Sequence, residues 1–222
     1  MKLYCSPRSP FVRKIMIVMH ETKLLDRVTC VPTVVGMAAE PNPALLPDNP
    51  LCKIPTLVLG DGRRLFDSRV IAEYLDSLHD GPQVFPTGAR ERYQHLRWLS
   101  LGDGMTDMLI LWRNERVRPE GMRDPALLSA FEKKTRACFV QLEAEAAELQ
   151  AAPFGIGQIA LVCMLGFMDL QLNTRQWRQA HPAFAEWHEE MRKRPSVQAT
   201  EVSDQGASNV QSGRAAGPAL IF

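Results

Sequence analysis

A chain of 222 residues, 45% of them hydrophobic, has room for one large or two modest domains with a core of ordinary size. Its 26 lysines and arginines nearly balance its 25 aspartates and glutamates, so no basic excess marks a nucleic-acid partner. The longest apolar runs, 15–19 and 159–165, are far too short to cross a bilayer, and the five cysteines show neither paired nor metal-knuckle spacing. A cytoplasmic, reducing setting is the expectation, with no metal and no membrane.

In chain order, Lys2-Leu3-Tyr4-Cys5 reads as a short strand. The helix after it opens at Ser9-Pro10: Ser9 is a good N-cap, and Pro10 at the first helical position has no N–H to lose. Phe11, Ile15, Val18 and Met19 then share one face. Residues 26–32 read as a second strand and 36–49 as loop. A hairpin follows, Thr56–Leu59 and Arg63–Phe66 around Gly60-Asp61-Gly62. From Asp67-Ser68 a helix is expected with Ser68 as its cap and with Val70, Ile71, Tyr74, Leu75 and Leu78 inward. This β-α-β-loop-β-β-α order defines a compact α/β unit over 1–78.

Residues 79–87 make the linker, and beyond it no strand pattern appears. Long helices are expected over 88–117 and 124–151, then a helix apolar all round over 157–173 that suits the middle of a bundle. Another opens at Pro182, with Phe184, Trp187 and Met191 inward, and ends at Arg194-Pro195. The all-helical region is set at 88–201. The Ser-, Gly- and Gln-rich composition of 202–222 predicts a mobile tail.

Three segments of the first unit carry the chemistry. Ser9 caps a helix whose free N–H groups and partial positive charge suit an anion, although a Ser-Pro pair equally starts a plain core helix. Asn49-Pro50-Leu51-Cys52-Lys53-Ile54-Pro55 runs into a strand. Ile54-Pro55 there is either an ordinary trans junction or a cis peptide that turns the Ile54 backbone outward for an extended peptide. Phe66-Asp67-Ser68-Arg69 is a second strand-to-helix junction, either a cap alone or an anion seat with Asp67 placed to hold an ammonium.

Together, Tyr4–Lys14, Asn49–Pro55 and Asp67–Leu75 resemble the cytosolic glutathione S-transferases, nearest to bacterial serine-type members with a Ser-Pro-Phe-Val-Arg-Lys helix start. The similarity runs over about residues 1–200. It implies the glutathione transferase fold: an α/β thioredoxin-like N-terminal domain followed by an all-α C-terminal helical bundle. It implies glutathione as co-substrate, a small electrophile as partner, and a homodimer, in a detoxification-type transfer of alkyl or aryl groups. Carried over by position, Ser9 would meet the glutathione sulfur and Phe11 would line its pocket. Ile54, before cis Pro55, would pair with the cysteinyl backbone, and Lys53 would lie near the glycyl carboxylate. Asp67 and Ser68 would hold the γ-glutamyl ammonium and carboxylate. Ser9 would then stabilise a thiolate rather than attack, since its motif supplies no histidine base.

Two departures from the family pattern stand out. Cys52 occupies a position where glycine is common, so the loop backbone is open to change; its thiol is either a partly buried structural cysteine or a site for a mixed disulfide with glutathione. At the buried helix, Gly155-Ile156-Gly157-Gln158 replaces the usual hydroxyl-capped box. Met105, Met108, Leu109, Trp112 and Arg116 recur at helical spacing on 88–117. They form either an adaptable wall for the electrophile, with Arg116 drawing an anionic one, or interhelical packing. A glutathione-binding scaffold without turnover and a Cys52-dependent thiol transferase remain the alternatives.

Overall fold

The structure is a computed structural model describing residues 1–37, 39–172 and 176–202. Strand β1 (Lys2–Cys5) lies between β2 (Thr29–Pro32), which runs parallel to it, and the antiparallel β3 (Thr56–Val58); β4 (Arg64–Leu65) closes the order β2-β1-β3-β4. Helix α1 (Pro10–Glu21) crosses from β1 to β2, and α2 (Ser68–Asp76) follows β4. Leu3, Ile15, Val18, Leu57, Ile71 and Leu75 meet in a core from which solvent is excluded. The unit has the thioredoxin-like mixed sheet.

Local readings of this unit are refined in three places. The expected second strand begins only at Thr29, because Leu25–Arg27 forms a 3-10 turn. Asp67, not Ser68, caps α2: its carboxylate accepts from Arg69 N at 2.9 Å. A carboxylate acceptor one residue earlier captures the orphan N–H and draws Ser68 into the first turn. Val70 is exposed rather than inward, because the buried face is centred on Ile71, Ala72 and Leu75 and Val70 falls about 100° round the helix from Ile71.

The connection to the helices is pinned. Asp76 at the end of α2 accepts from the backbone N–H groups of Val84 (2.8 Å) and Phe85 (2.9 Å), burying both side chains. Helix α3 (Ala89–Arg116) follows, then a break, then α4 (Pro125–Ala144), capped by Asp124. The helix expected over 124–151 is in fact two, with α5 (Ala146–Ala151) starting after Glu145. Glu145 is held there by Trp98 Nε1 (2.8 Å) and Arg97 (2.6 Å). Helix α6 (Ile156–Gln171) is buried on nearly every side, as its all-apolar composition required, and α7 (Trp177–Ala180), α8 (Pro182–Arg192) and α9 (Pro195–Ala199) complete the bundle. Beyond Val202 the predicted tail lies outside the described residues.

Helices α3 and α6 touch through glycines. A Cβ on Gly157 would stand 2.7 Å from His95 O and 2.8 Å from Trp98 Cβ, and one on Gly102 would stand 3.0 Å from the Ala160 backbone. The Gly155 cap also has no room for a side chain beside His95 and Val84 O, so Gln158 does the capping alone. Its Oε1 accepts from Gly155 N at 2.8 Å and its Nε2 donates to Leu149 O at 2.9 Å.

Candidate active site

Strand register brings the three segments to one end of the sheet. Tyr4 of β1 faces Thr56 of β3, so the turn leading from β1 to Ser9 emerges beside Ile54-Pro55. Leu57 faces Leu65 of β4, so Phe66-Asp67 emerges on the other side of the same proline. Ser9, Ile54 and Asp67, scattered over 59 positions, thereby share one rim.

Each segment is held by its own local chemistry. Ser9 adopts an extended backbone at the start of α1, and its Oγ accepts from Val12 N at 3.2 Å. That bond occupies a lone pair and leaves the hydroxyl hydrogen to donate into the cleft. The Ile54–Pro55 bond is cis, one of the two geometries that the sequence allows; the Phe66–Asp67 bond is cis as well. Asn49, almost wholly buried, ties the loop before Pro55: its Nδ2 donates to Lys53 O (3.1 Å) and Thr56 Oγ1 (2.9 Å), and its Oδ1 accepts from Leu51 N (3.0 Å). Within that loop Cys52 takes φ = +50°, the left-handed region that favours glycine, so the backbone course is kept in spite of the side chain. Its Sγ accepts from Asn42 N at 3.1 Å.

Exposure sorts the candidate residues. Lys53 and Asp67 are exposed and Ser9, Phe11 and Ile54 half-buried, so all five are within reach of a ligand on the rim; Pro55 and Ser68 are buried behind them. Ser68 Oγ lies 3.0 Å from Lys14 Nζ. On α3, Met105, Leu109 and Trp112 are sealed inside the helical core, Trp112 against Phe131 with ring centroids 6.4 Å apart. Arg116 is buried too, and Met108 alone of this set keeps partial access.

The sequence reading missed the charged pin behind the rim. Lys14 of α1, 1% exposed, reaches Asp103 Oδ1 of α3 at 2.5 Å, and Arg69 Nε of α2 reaches Asp103 Oδ2 at 2.8 Å. One buried carboxylate thus bridges both helices of the α/β unit to the bundle. No local pattern marked it: Asp103 lies between Gly102 and exposed Gly104, in a window that reads as a solvated charge. One turn on, Asp107 is raised above the usual carboxylate range by desolvation; Lys53 opposes that shift across the cleft, the Asp103 charge adds to it, and Arg69 and Lys14 oppose it. Arg113, rather than Arg116, is the α3 guanidinium that senses the first segment: burial lowers its pKa and the like charge of Arg8 lowers it further.

This arrangement, a thioredoxin-like rim with a cis-proline loop and two capped helix starts, roofed by an all-helical domain, defines the glutathione transferase class of folds. Residues 8–78 match the family described as Glutathione S-transferase, N-terminal domain. A crystal structure of a glutathione transferase family member from Pseudomonas fluorescens Pf-5 with bound glutathione is 40% identical. It superposes with a TM-score of 0.86 over 91% of this chain and 98% of that one. A glutathione S-transferase from Methylobacillus flagellatus with glutathione bound is 32% identical (TM-score 0.80; 91% and 99% covered). The uncharacterized GST-like protein YibF of Escherichia coli K12 is 28% identical over 204 residues, 90% of this chain and 98% of YibF. The chain belongs to the glutathione transferase superfamily.

Proposed function

We propose that the protein is a glutathione S-transferase that presents glutathione as its thiolate to a small electrophile, with Ser9 as the thiolate-stabilising residue. The observation that carries this reading is the direction of the Ser9 capping bond: with Val12 N–H taken up as donor to Oγ, the remaining hydroxyl hydrogen is available to a sulfur anion over the start of α1. A free thiol titrates near 8.5, so at pH 7 most of it is protonated. A depression of about two units by the hydroxyl and the helix N-terminus would amount to about 2.7 kcal/mol of preferential anion stabilisation.

The remaining roles follow the rim. Ile54, at the cis bond, offers its backbone to the cysteinyl unit, as a strand edge does to an extended peptide. Exposed Lys53 suits the glycyl carboxylate. Asp67 suits the γ-glutamyl ammonium, and the start of α2 at Ser68 supplies N–H donors for the carboxylate beside it. That Pseudomonas and Methylobacillus relatives were crystallised with glutathione supports the same co-substrate here. Phe11 would line the sulfur's pocket, and half-buried Met108 is the member of the expected α3 wall left with access to an electrophile.

The test is conjugation of a chromogenic aryl halide by wild type and Ser9→Ala across pH 5.5–9. The expected outcome is a fall in kcat/KM of about 10²-fold at pH 7, with the ascending limb of the profile moved to higher pH, towards the free thiol's value. An unchanged pH profile and an unchanged bound-thiol absorbance would remove Ser9 from the role. Tight glutathione binding without turnover on any electrophile would instead favour the scaffold reading, and loss of activity in Cys52→Ser the thiol-transfer one. By the same family reading the protein is a cytoplasmic homodimer; light scattering is expected to give about twice the 24.9 kDa chain mass at micromolar concentration.

A further inference from the structure

Three sulfurs converge at the far edge of the sheet, on the face covered by α1. Cys30 pairs with Leu3 in the parallel β1–β2 ladder, and Cys5 is two residues along β1 from Leu3, so both thiols point to that face. Each thiol's electrostatics is governed first by the other, which makes the two side chains neighbours. Cys30 Sγ also lies 4.0 Å from Met16 Sδ on α1. Cys30 is exposed, and Cys5 and Met16 are half-buried, so the group is open to solvent from the Cys30 side.

The pair is not built to oxidise to a disulfide. With strands about 4.8 Å apart and a rise of about 3.3 Å per residue, a two-residue diagonal sets the Cα atoms about 8 Å apart. That exceeds the limit of about 7 Å for a disulfide without backbone movement. A bridging cation asks for less. Three sulfurs bonded to one metal at about 2.3 Å, the usual metal–thiolate length, stand about 4 Å from one another in a trigonal plane. The Cys30–Met16 separation already has that value.

We propose that Cys5, Cys30 and Met16 form a binding site for a soft monovalent cation, cuprous copper, in three-coordinate sulfur geometry. The donor set selects the metal. Two thiols and a thioether are soft ligands that suit Cu(I), whereas structural zinc takes four ligands and magnesium or calcium take oxygen. Binding begins at Cys30, the exposed thiol, and each cysteine gives up its proton to solvent as its Cu–S bond forms. No electron is transferred. The site joins the sheet's edge to the middle of α1, so an occupied site stabilises the folded chain by mass action. Cys30 lies on β2 at the sheet edge away from β3 and β4, whereas Ile54-Pro55 and Asp67 of the glutathione rim flank β3 and β4.

The experiment is anaerobic titration of the whole protein with Cu(I) held by bicinchoninate, the chelator's colour reporting transfer. One equivalent is expected to transfer. Cys30→Ser and Cys5→Ser are expected to weaken it at least ~100-fold and Met16→Leu about 10-fold, while Cys52→Ser and Cys138→Ser leave it unchanged. Copper-edge X-ray absorption of the loaded protein is expected to show three sulfurs at about 2.3 Å. Affinity insensitive to Cys30→Ser, or lost equally in Cys52→Ser or Cys138→Ser, overturns the assignment, as does a two-sulfur or nitrogen-rich spectrum. If Cys5→Ser fails to fold, exposed Cys30 and half-buried Met16 still decide the matter. Conjugation by Cys30→Ser at the wild-type rate separates failure here from failure of the Ser9 reading.

Discussion

Replacing Asp103 by alanine is expected to cost the protein far more than any other single charge removal. Asp103 and Lys14 side chains are 5% and 1% exposed and 2.5 Å apart, so deleting the carboxylate strands an ammonium in the interior beside Ser68 Oγ at 3.0 Å and the Phe11 ring at 5.4 Å, neither of which carries a charge. Breaking a buried pair from one side typically costs about 3–5 kcal/mol, much of it the penalty on the charge left behind. Lys14→Met is milder, about 1–3 kcal/mol, because the new side chain refills the space and Asp103 keeps Arg69 at 2.8 Å. Arg69→Gln removes a group whose side chain is 46% exposed, and is expected to cost no more than about 1 kcal/mol. The double variant Lys14→Met with Asp103→Ala then carries no stranded charge, so it should be more stable than the sum of the singles by about 2 kcal/mol. Urea unfolding followed by tryptophan fluorescence measures all four. For a chain of this size Asp103→Ala should also lower Tm by about 10 °C. Additivity within ~0.5 kcal/mol, or a cost below ~1 kcal/mol for Asp103→Ala, would refute the claim that this pair pins the two domains.

Gly157→Ala is expected to destabilise by about 2–3 kcal/mol, since the added methyl meets the His95 carbonyl and Trp98 Cβ of α3 and neither belongs to a flexible chain end; Gly104→Ala, exposed within α3 and with open space around it, is the contrasting control and is expected to stabilise by about 0.5–1 kcal/mol in the same urea series. Acid is expected to weaken the fold through His188. Burial first, then the charges of Arg178, Arg192 and Arg13, depress its folded pKa to about 3, while Asp169 opposes them. The unfolded imidazole titrates near 6.5, so the unfolded chain binds more protons between those values. This contribution to stability is therefore complete above about pH 6.5 and declines as pH falls towards 3, by up to ~1.4 kcal/mol per unit. Burial lowers His95 and His181 in the same direction. Urea midpoints between pH 4 and 8 should slope less in His188→Gln; an identical slope would assign acid sensitivity to other groups.

What the chain discloses by itself depends on how far apart the interacting residues lie. Ser9-Pro10 is legible because cap, proline and the Val12 N–H that Oγ accepts fall within four residues. Gln158 is legible for the same reason, and so is α6, where composition alone demands burial on all sides. The cap of α2 shows the limit of such reading: Asp67 and Ser68 are both good caps by type, and only the strand-to-helix geometry decides that the carboxylate takes the Arg69 N–H. Cys52 shows another limit, since a side chain in the place of glycine said nothing about φ, and the loop kept its left-handed turn through the Asn49 bonds on either side.

The Lys14–Asp103–Arg69 cluster lies beyond that horizon altogether. Its members come from three helices, and in each local window the residue looks like a solvated charge: Lys14 follows Arg13, and Arg69 sits in an exposed first turn. Only the approach of α3, with Gly102 pressed against α6, carries Asp103 inward to meet them. The pairing of α/β unit and bundle therefore depends on a contact that no periodicity encodes, and it sits directly behind the helix starts on which glutathione is proposed to rest. Ser68 belongs to both: its Oγ meets Lys14 while its backbone opens α2. A perturbation at Asp103 should accordingly reach the rim through Ser68 before it reaches Ser9. In Lys14→Met the glutathione KM is then expected to rise while the pH profile set by Ser9 stays where it is. A shift in that profile without a change in KM would mean that the cluster acts on the thiolate and not on the γ-glutamyl end.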